Sequence, residues 1–137
     1  MKAIEYIEED GIRLALIVRS TFNEPDLTFP TEHSNFFQVG IHNRKKGTVI
    51  AGHRHRTLPK LENVNIEEFF YMESGAIKIQ LYHNEKPYKE VTLNKGDFII
   101  LYCGHGFEFL EDSKIIEVKQ GPYQGKEKDK VYYDTSL

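Results

Sequence analysis

His53 and His55 stand two residues apart in the stretch Thr48–His55. On a β-strand that spacing sends both side chains out of the same face, as two imidazoles must be to reach one metal ion. Glu68 opens the next strand-like run, and His105 opens the last hairpin. Neutral imidazole with a carboxylate suits Fe, Mn, Ni, Co or Zn, and three His with one Glu can leave positions open for substrate or water. Taken alone, a His-x-His pair is better read as two surface histidines on an edge strand. Glu67, on the opposite face if the strand has already begun, is the second choice for the carboxylate.

These residues need a β framework, and the composition favours one. Alanine occurs only at positions 3, 15, 51 and 76, while Ile, Val, Phe, Tyr and Thr are abundant. Strand-like runs recur at short intervals: Ile4–Glu8, Ile12–Arg19, Phe36–His42, Thr48–His55, Glu68–Glu73, Ala76–His83, Tyr88–Leu93, Asp97–Leu101, His105–Leu110 and Lys114–Gln120. Asp10-Gly11, Gly47, Ser74-Gly75 and Asn94-Lys95-Gly96 punctuate them as turns. Residues 20–35, with Pro25 and Pro30, read as a loop. The pattern predicts an all-β sandwich or barrel in one domain, 1–137, with a core over about 36–120. An N-terminal hairpin and loop (1–35) precede it, and a solvated C-terminal extension (121–137) follows.

Gly47 followed by His53-Arg54-His55, then Glu68 and Gly75, resembles the first motif of the cupin family. Gly96-Asp97-Phe98-Ile99-Ile100-Leu101 leading to His105-Gly106-Phe107-Glu108 resembles the second. The resemblance implies a single-domain jelly-roll β-barrel. It also implies one divalent transition metal held by His53, His55, Glu68 and His105, and a homodimer formed through a sheet. The chain departs from the pattern in two places. Twelve residues, Arg56–Glu67, separate His55 from Glu68, where cupins use a much shorter connection. The second motif lacks its usual proline. The long connection is expected to form a lid over the pocket, since both ends abut ligands.

Strand parity extends the pocket. Val49 and Ala51 are expected to face inward with the histidines, and Phe70 and Met72 with Glu68. A tight turn at Asp112-Ser113 would pair the last two strands, set Phe107 against Val118 and bring Gln120 beside His105. Gln120 is thus a candidate substrate contact, and so is Arg56, which follows the ligand strand where the chain turns over the barrel mouth and could pair with an anionic group. Phe69 and Tyr71 fall on the outer face, to be covered by the N-terminal hairpin or a second subunit. His33, His42 and His83 fall outside the pocket. Cys103 beside His105 lacks the third group and oxyanion site that a Cys-His nucleophile needs. Gly104-His105-Gly106 lacks the spacing and helix of a phosphate loop.

Charge and hydropathy narrow the partners. With 18 basic and 21 acidic residues and a net charge of −3, neither nucleic acid nor an anionic membrane is the expected partner. The longest apolar stretches, Leu14–Val18 and Phe98–Cys103, fall far short of the about 20 residues that span a bilayer. A lone cysteine and an acidic N-terminal run predict a cytoplasmic protein.

Three functions fit. The leading one is a small metal-dependent enzyme acting on a polar small molecule inside the barrel, as an isomerase or epimerase or as a dioxygenase. Residues 117–123, Glu-Val-Lys-Gln-Gly-Pro-Tyr, look like those of small bacterial cupins of surface-polysaccharide and sugar-nucleotide pathways, which favours carbohydrate. The others are a non-catalytic small-molecule binding module and a metal-free sugar epimerase using His53 or His55 as base.

Overall fold

The computed structural model describes residues 2–59, 64–121 and 125–133. Ten strands run in chain order: β1 (Ile4–Glu9), β2 (Ile12–Val18), β3 (Asp26–Thr28), β4 (Ile41–Asn43), β5 (Glu68–Ser74), β6 (Ala76–His83), β7 (Lys86–Asn94), β8 (Phe98–Leu101), β9 (His105–Phe109) and β10 (Lys114–Lys119). One helical turn, α1 (Lys126–Asp129), follows. The protein is all-β and its strand pairs are antiparallel.

Two sheets carry the architecture. One is ordered β1-β2-β8-β5-β10 and the other β7-β6-β9; β3 and β4 form a separate small pair. The sheets do not close into a barrel among the described residues. From β5 onward the chain alternates between them: β5, β8 and β10 lie in the larger sheet, and β6, β7 and β9 in the smaller.

Tight turns form where backbone freedom permits them. Asp10 and Gly11 both have positive φ, 53° and 71°, the requirement of a type I′ hairpin, and Asp-Gly meets it at low cost. Gly75 at φ +85° joins β5 to β6, and a Cβ there would run into Ser113. Only glycine fits that crossing.

The apolar runs are unbroken where both sheet faces are covered. Ala15, Ile17, Ile99 and Leu101 pack inward with Phe70, Met72, Ile77, Ile79 and Leu81. Leu16, Val18 and Ile100 pack outward against Phe22, Val39, Ile41, Phe69 and Phe98. The loop and short strands between β2 and Asn43 thus share in covering Phe69. A strand buried on both sides needs no alternation, which explains Leu14–Val18 and Phe98–Leu101.

Asp97 is buried in the turn before β8. Its carboxylate accepts the N–H of Ser20 (3.0 Å) and of Asn94 (2.9 Å) and pairs with Arg19 at 3.0 Å. Arg19 also reaches Glu5 at 2.8 Å. Both buried charges in this knot are paired, as burial requires, although the buried Nε of Arg19 has no hydrogen-bond partner among the described residues.

Sequence expectations fail in two regions. Thr48–His55 forms no strand, and Phe36–His42 contributes only its end to β4. Val49 is 86% exposed and Ala51 is exposed as well. Gly52 and Arg54 interrupt the stretch, and Arg44, Lys45, Lys46 and Arg56 flank it with charge, so only the short run Val49–Ala51 offers an apolar face to pack. The second failure is the last hairpin. β9 pairs with β6 and β10 with β5, in different sheets.

Candidate functional site

β5 supplies the first functional side chain. Inward parity of Phe70 and Met72, 5% and 1% exposed, puts Glu68 on the same face at the strand's open end. Opposite it in the other sheet, β9 begins with His105, registered against Leu81 of β6. Glu68 Oε1 and His105 Nε2 are 3.3 Å apart.

The imidazole is held from behind. Its Nδ1 lies 2.9 Å from the Cys103 carbonyl, which can only accept, so Nδ1 carries the proton and Nε2 faces Glu68. Phe107 stacks on the imidazole at 5.3 Å, and Phe70 meets Phe107 edge-on at 4.9 Å. These rings shield one side of the ion pair from water.

Glu117 completes the acidic side, and sequence parity missed it. On β10, Glu117 registers with Phe70 and Lys119 with Glu68, so Ile115, Glu117 and Lys119 face inward. The expected inner residues Ile116 and Val118 are 44% and 50% exposed, and Phe109 is 54% exposed. A hairpin was the natural inference from Asp112-Ser113, but the chain crosses to the other sheet there, and parity shifts by one.

Electrostatics follow from this packing. The hydrogen bond from His105 holds the Glu68 carboxyl down at about 2, against the opposing effect of burial. Burial acts to lower the His105 pKa, but the bonds to Glu68 and to the Cys103 carbonyl outweigh it and the net shift is upward. Burial first, then the neighbouring Glu68 carboxylate, raises Glu117. One carboxyl is ionised and its neighbour is pushed toward holding a proton. Burial also pushes the Cys103 thiol up, away from the thiolate that a nucleophile needs.

These groups line a cleft of about 550 Å³, together with Lys119, Lys130 and Tyr133. The tail is therefore not simply a solvated extension: Lys130–Tyr133 form one wall.

The other sequence candidates are placed as follows. His53 and His55 are exposed on the extended segment after β4, their rings 5.3 Å apart. His53 Nδ1 donates to the Ala51 carbonyl at 2.8 Å. The structure joins Glu68 to His105 but does not bring these two histidines to them. Among the described residues, no three His, Cys, Asp or Glu side chains gather in a metal-binding group. Arg56 is exposed beside them. Gln120 turns to the backbone instead: its Oε1 accepts the Glu67 N–H at 3.0 Å. Glu67, the alternative carboxylate, accepts the N–H of Phe36 and Phe37 at 3.2 and 2.8 Å and so anchors the preceding loop. Of the connection Arg56–Glu67, residues 60–63 lie outside the described residues, and Ile66 reaches the cleft.

Comparison of the chain with protein-family models, with curated proteins and with solved structures finds no match.

Proposed function

We propose that this protein is a cupin-type jelly roll whose cleft holds a divalent transition metal and a polar small molecule, with carbohydrate the preferred class. The observation that carries the reading is the Glu68–His105 pair. With Nδ1 committed to the Cys103 carbonyl, a neutral His105 points a lone pair at a carboxylate oxygen 3.3 Å away. That arrangement calls for a cation between them, either a proton or a metal ion. Two donors each about 2.0–2.2 Å from one tetrahedral ion stand about 3.3–3.6 Å apart, so the pair fits a metal without rearrangement. The backbone carbonyl behind His105 is the usual second partner of a ligating imidazole.

The strand order supports the jelly roll. Alternation of β5–β10 between two sheets is the Greek-key weave of that fold. β9 pairs on one side with β6, and its other edge is where residues 48–55 would add as a strand. Docked there, that segment would carry His53 and His55 toward His105.

In this reading Glu68 and His105 hold the ion, joined by His53 and His55. When bound, the ion supplies Lewis-acid polarisation of a carbonyl or hydroxyl, or with iron the activation of dioxygen. The chain's own groups do the rest. Phe70 and Phe107 exclude water, Glu117 holds or gives up a proton at its carboxyl, and Lys119 and Lys130 offer positive charge to an anionic substituent. Self-association through the apolar outer face of β10, Ile116 and Val118, would give the homodimer.

A metal-free acid–base enzyme is the second reading, favoured by the opposed protonation of Glu68 and Glu117. Here His105, rather than His53 or His55, is the natural proton carrier. Elemental analysis of protein purified without added metal, followed by turnover assays on a sugar-nucleotide panel, separates the readings. Stoichiometric metal supports the first. Turnover in protein free of metal supports the second, and binding without turnover indicates a non-catalytic module.

A further inference from the structure

Tyr133 lies flat on Tyr82, with ring centroids 4.1 Å apart and planes 10° apart. Its phenol reaches Gly104, where any Cβ would overlap the Tyr133 ring and hydroxyl. Tyr82 is bound to the same loop, its N–H donating to the Gly104 carbonyl at 2.9 Å. Gly104 sits between Cys103, whose carbonyl fixes the imidazole, and His105 itself.

Val131 and Tyr132 are 96% and 67% exposed, and Lys130 is exposed too, yet all line the cleft. Gly125 holds φ at +97° just before α1, a conformation that other residues resist. A wall this exposed, seated through Tyr133, can open without disturbing either sheet.

We propose that Lys130–Tyr133 is a strap across the Glu68–His105 cleft, latched by Tyr133 in the seat formed by Tyr82 and Gly104, and that ligands enter when the latch releases. The seat explains the glycine at 104, which the requirement for a ligand at 105 does not. Closure brings the strap over the ion pair and shields it from water; release exposes it. The strap rests on the cleft's geometry and holds whether the cation between Glu68 and His105 is a proton or a metal.

Cys103 is the chain's one cysteine and lines the cleft beneath the strap, so its labelling reads the latch directly. The full-length protein is labelled with N-ethylmaleimide at one fixed pH, without added metal. Tyr133→Ala should label at least fivefold faster than the parent. Gly104→Ala, which fills the seat from the other side, should match it. Tyr133→Phe keeps the stacking ring and should stay within twofold of the parent. Equal rates in Tyr133→Ala and the parent would overturn the strap, as would a Tyr133→Phe rate equal to that of Tyr133→Ala. Loss of the far-UV β spectrum in Tyr133→Ala would also overturn it, since Tyr133 would then belong to the core.

Discussion

Glu68 Oε1 and His105 Nε2 meet at 3.3 Å across the gap between two sheets, one residue from the start of β5 and the other from the start of β9. Each shifts the other toward its charged form. Glu68→Gln should therefore lower the His105 pKa, because burial is then opposed only by the Cys103 carbonyl bond and the Glu117 charge. A histidine NMR titration of parent and variant checks this. An unchanged His105 pKa would mean the pair does not form in solution.

The same pair gives stability a pH window. Glu68 is depressed from 4.5 to about 2, so its contribution is present above about 4.5 and is lost as pH falls toward 2. His105 is raised above 6.5. Its contribution is complete below that value and is lost as pH rises through the folded-state pKa. Without metal, melting temperature should be highest between these limits. The alkaline fall should vanish in His105→Gln, measured by thermal melts across pH.

Core and site should separate under mutation. Leu81 is fully buried between β7 and β9, and Leu81→Ala should cost about 2–5 kcal/mol. His53→Ala and His55→Ala remove exposed rings and should change stability by less than about 0.5 kcal/mol. Chemical denaturation of the three variants ranks them.

Glycines differ by what stands beside them. Gly75→Ala combines positive φ with a collision against Ser113, whereas Gly11→Ala, at φ +71°, meets nothing within 4 Å. The first should cost clearly more than the about 1 kcal/mol expected of backbone strain alone. Urea midpoints compare them.

What the sequence disclosed depended on whether the signal was local. Asp10-Gly11 marks its hairpin because few residues accept two successive positive φ values. Glu68, Phe70 and Met72 share a face because strand parity is set within one strand. Glu117 was hidden because its parity was judged from an assumed partner. Asp112-Ser113 marks a reversal but not which sheet receives the chain, and the adjacent Ile115 and Ile116 offer no alternation to decide it. The shared face of His53 and His55 depends on the same kind of condition: His-x-His spacing gives it only if the segment pairs as a strand, and Thr48–His55 does not. Tyr133 carries no local signal, since its partner lies 51 positions earlier at Tyr82.

Metal titration of the parent and its ligand variants bears most directly on the central claim. Apo protein at pH 7.5 is titrated with Co(II) and followed by its visible spectrum and by elemental analysis. The account expects one ion per chain, loss of binding in His105→Ala and Glu68→Ala, at least tenfold weaker binding in His53→Ala, and weaker binding in the parent below about pH 6 as the imidazoles protonate. Uptake far below one ion per chain by the parent, or undiminished binding in His105→Ala, would contradict it.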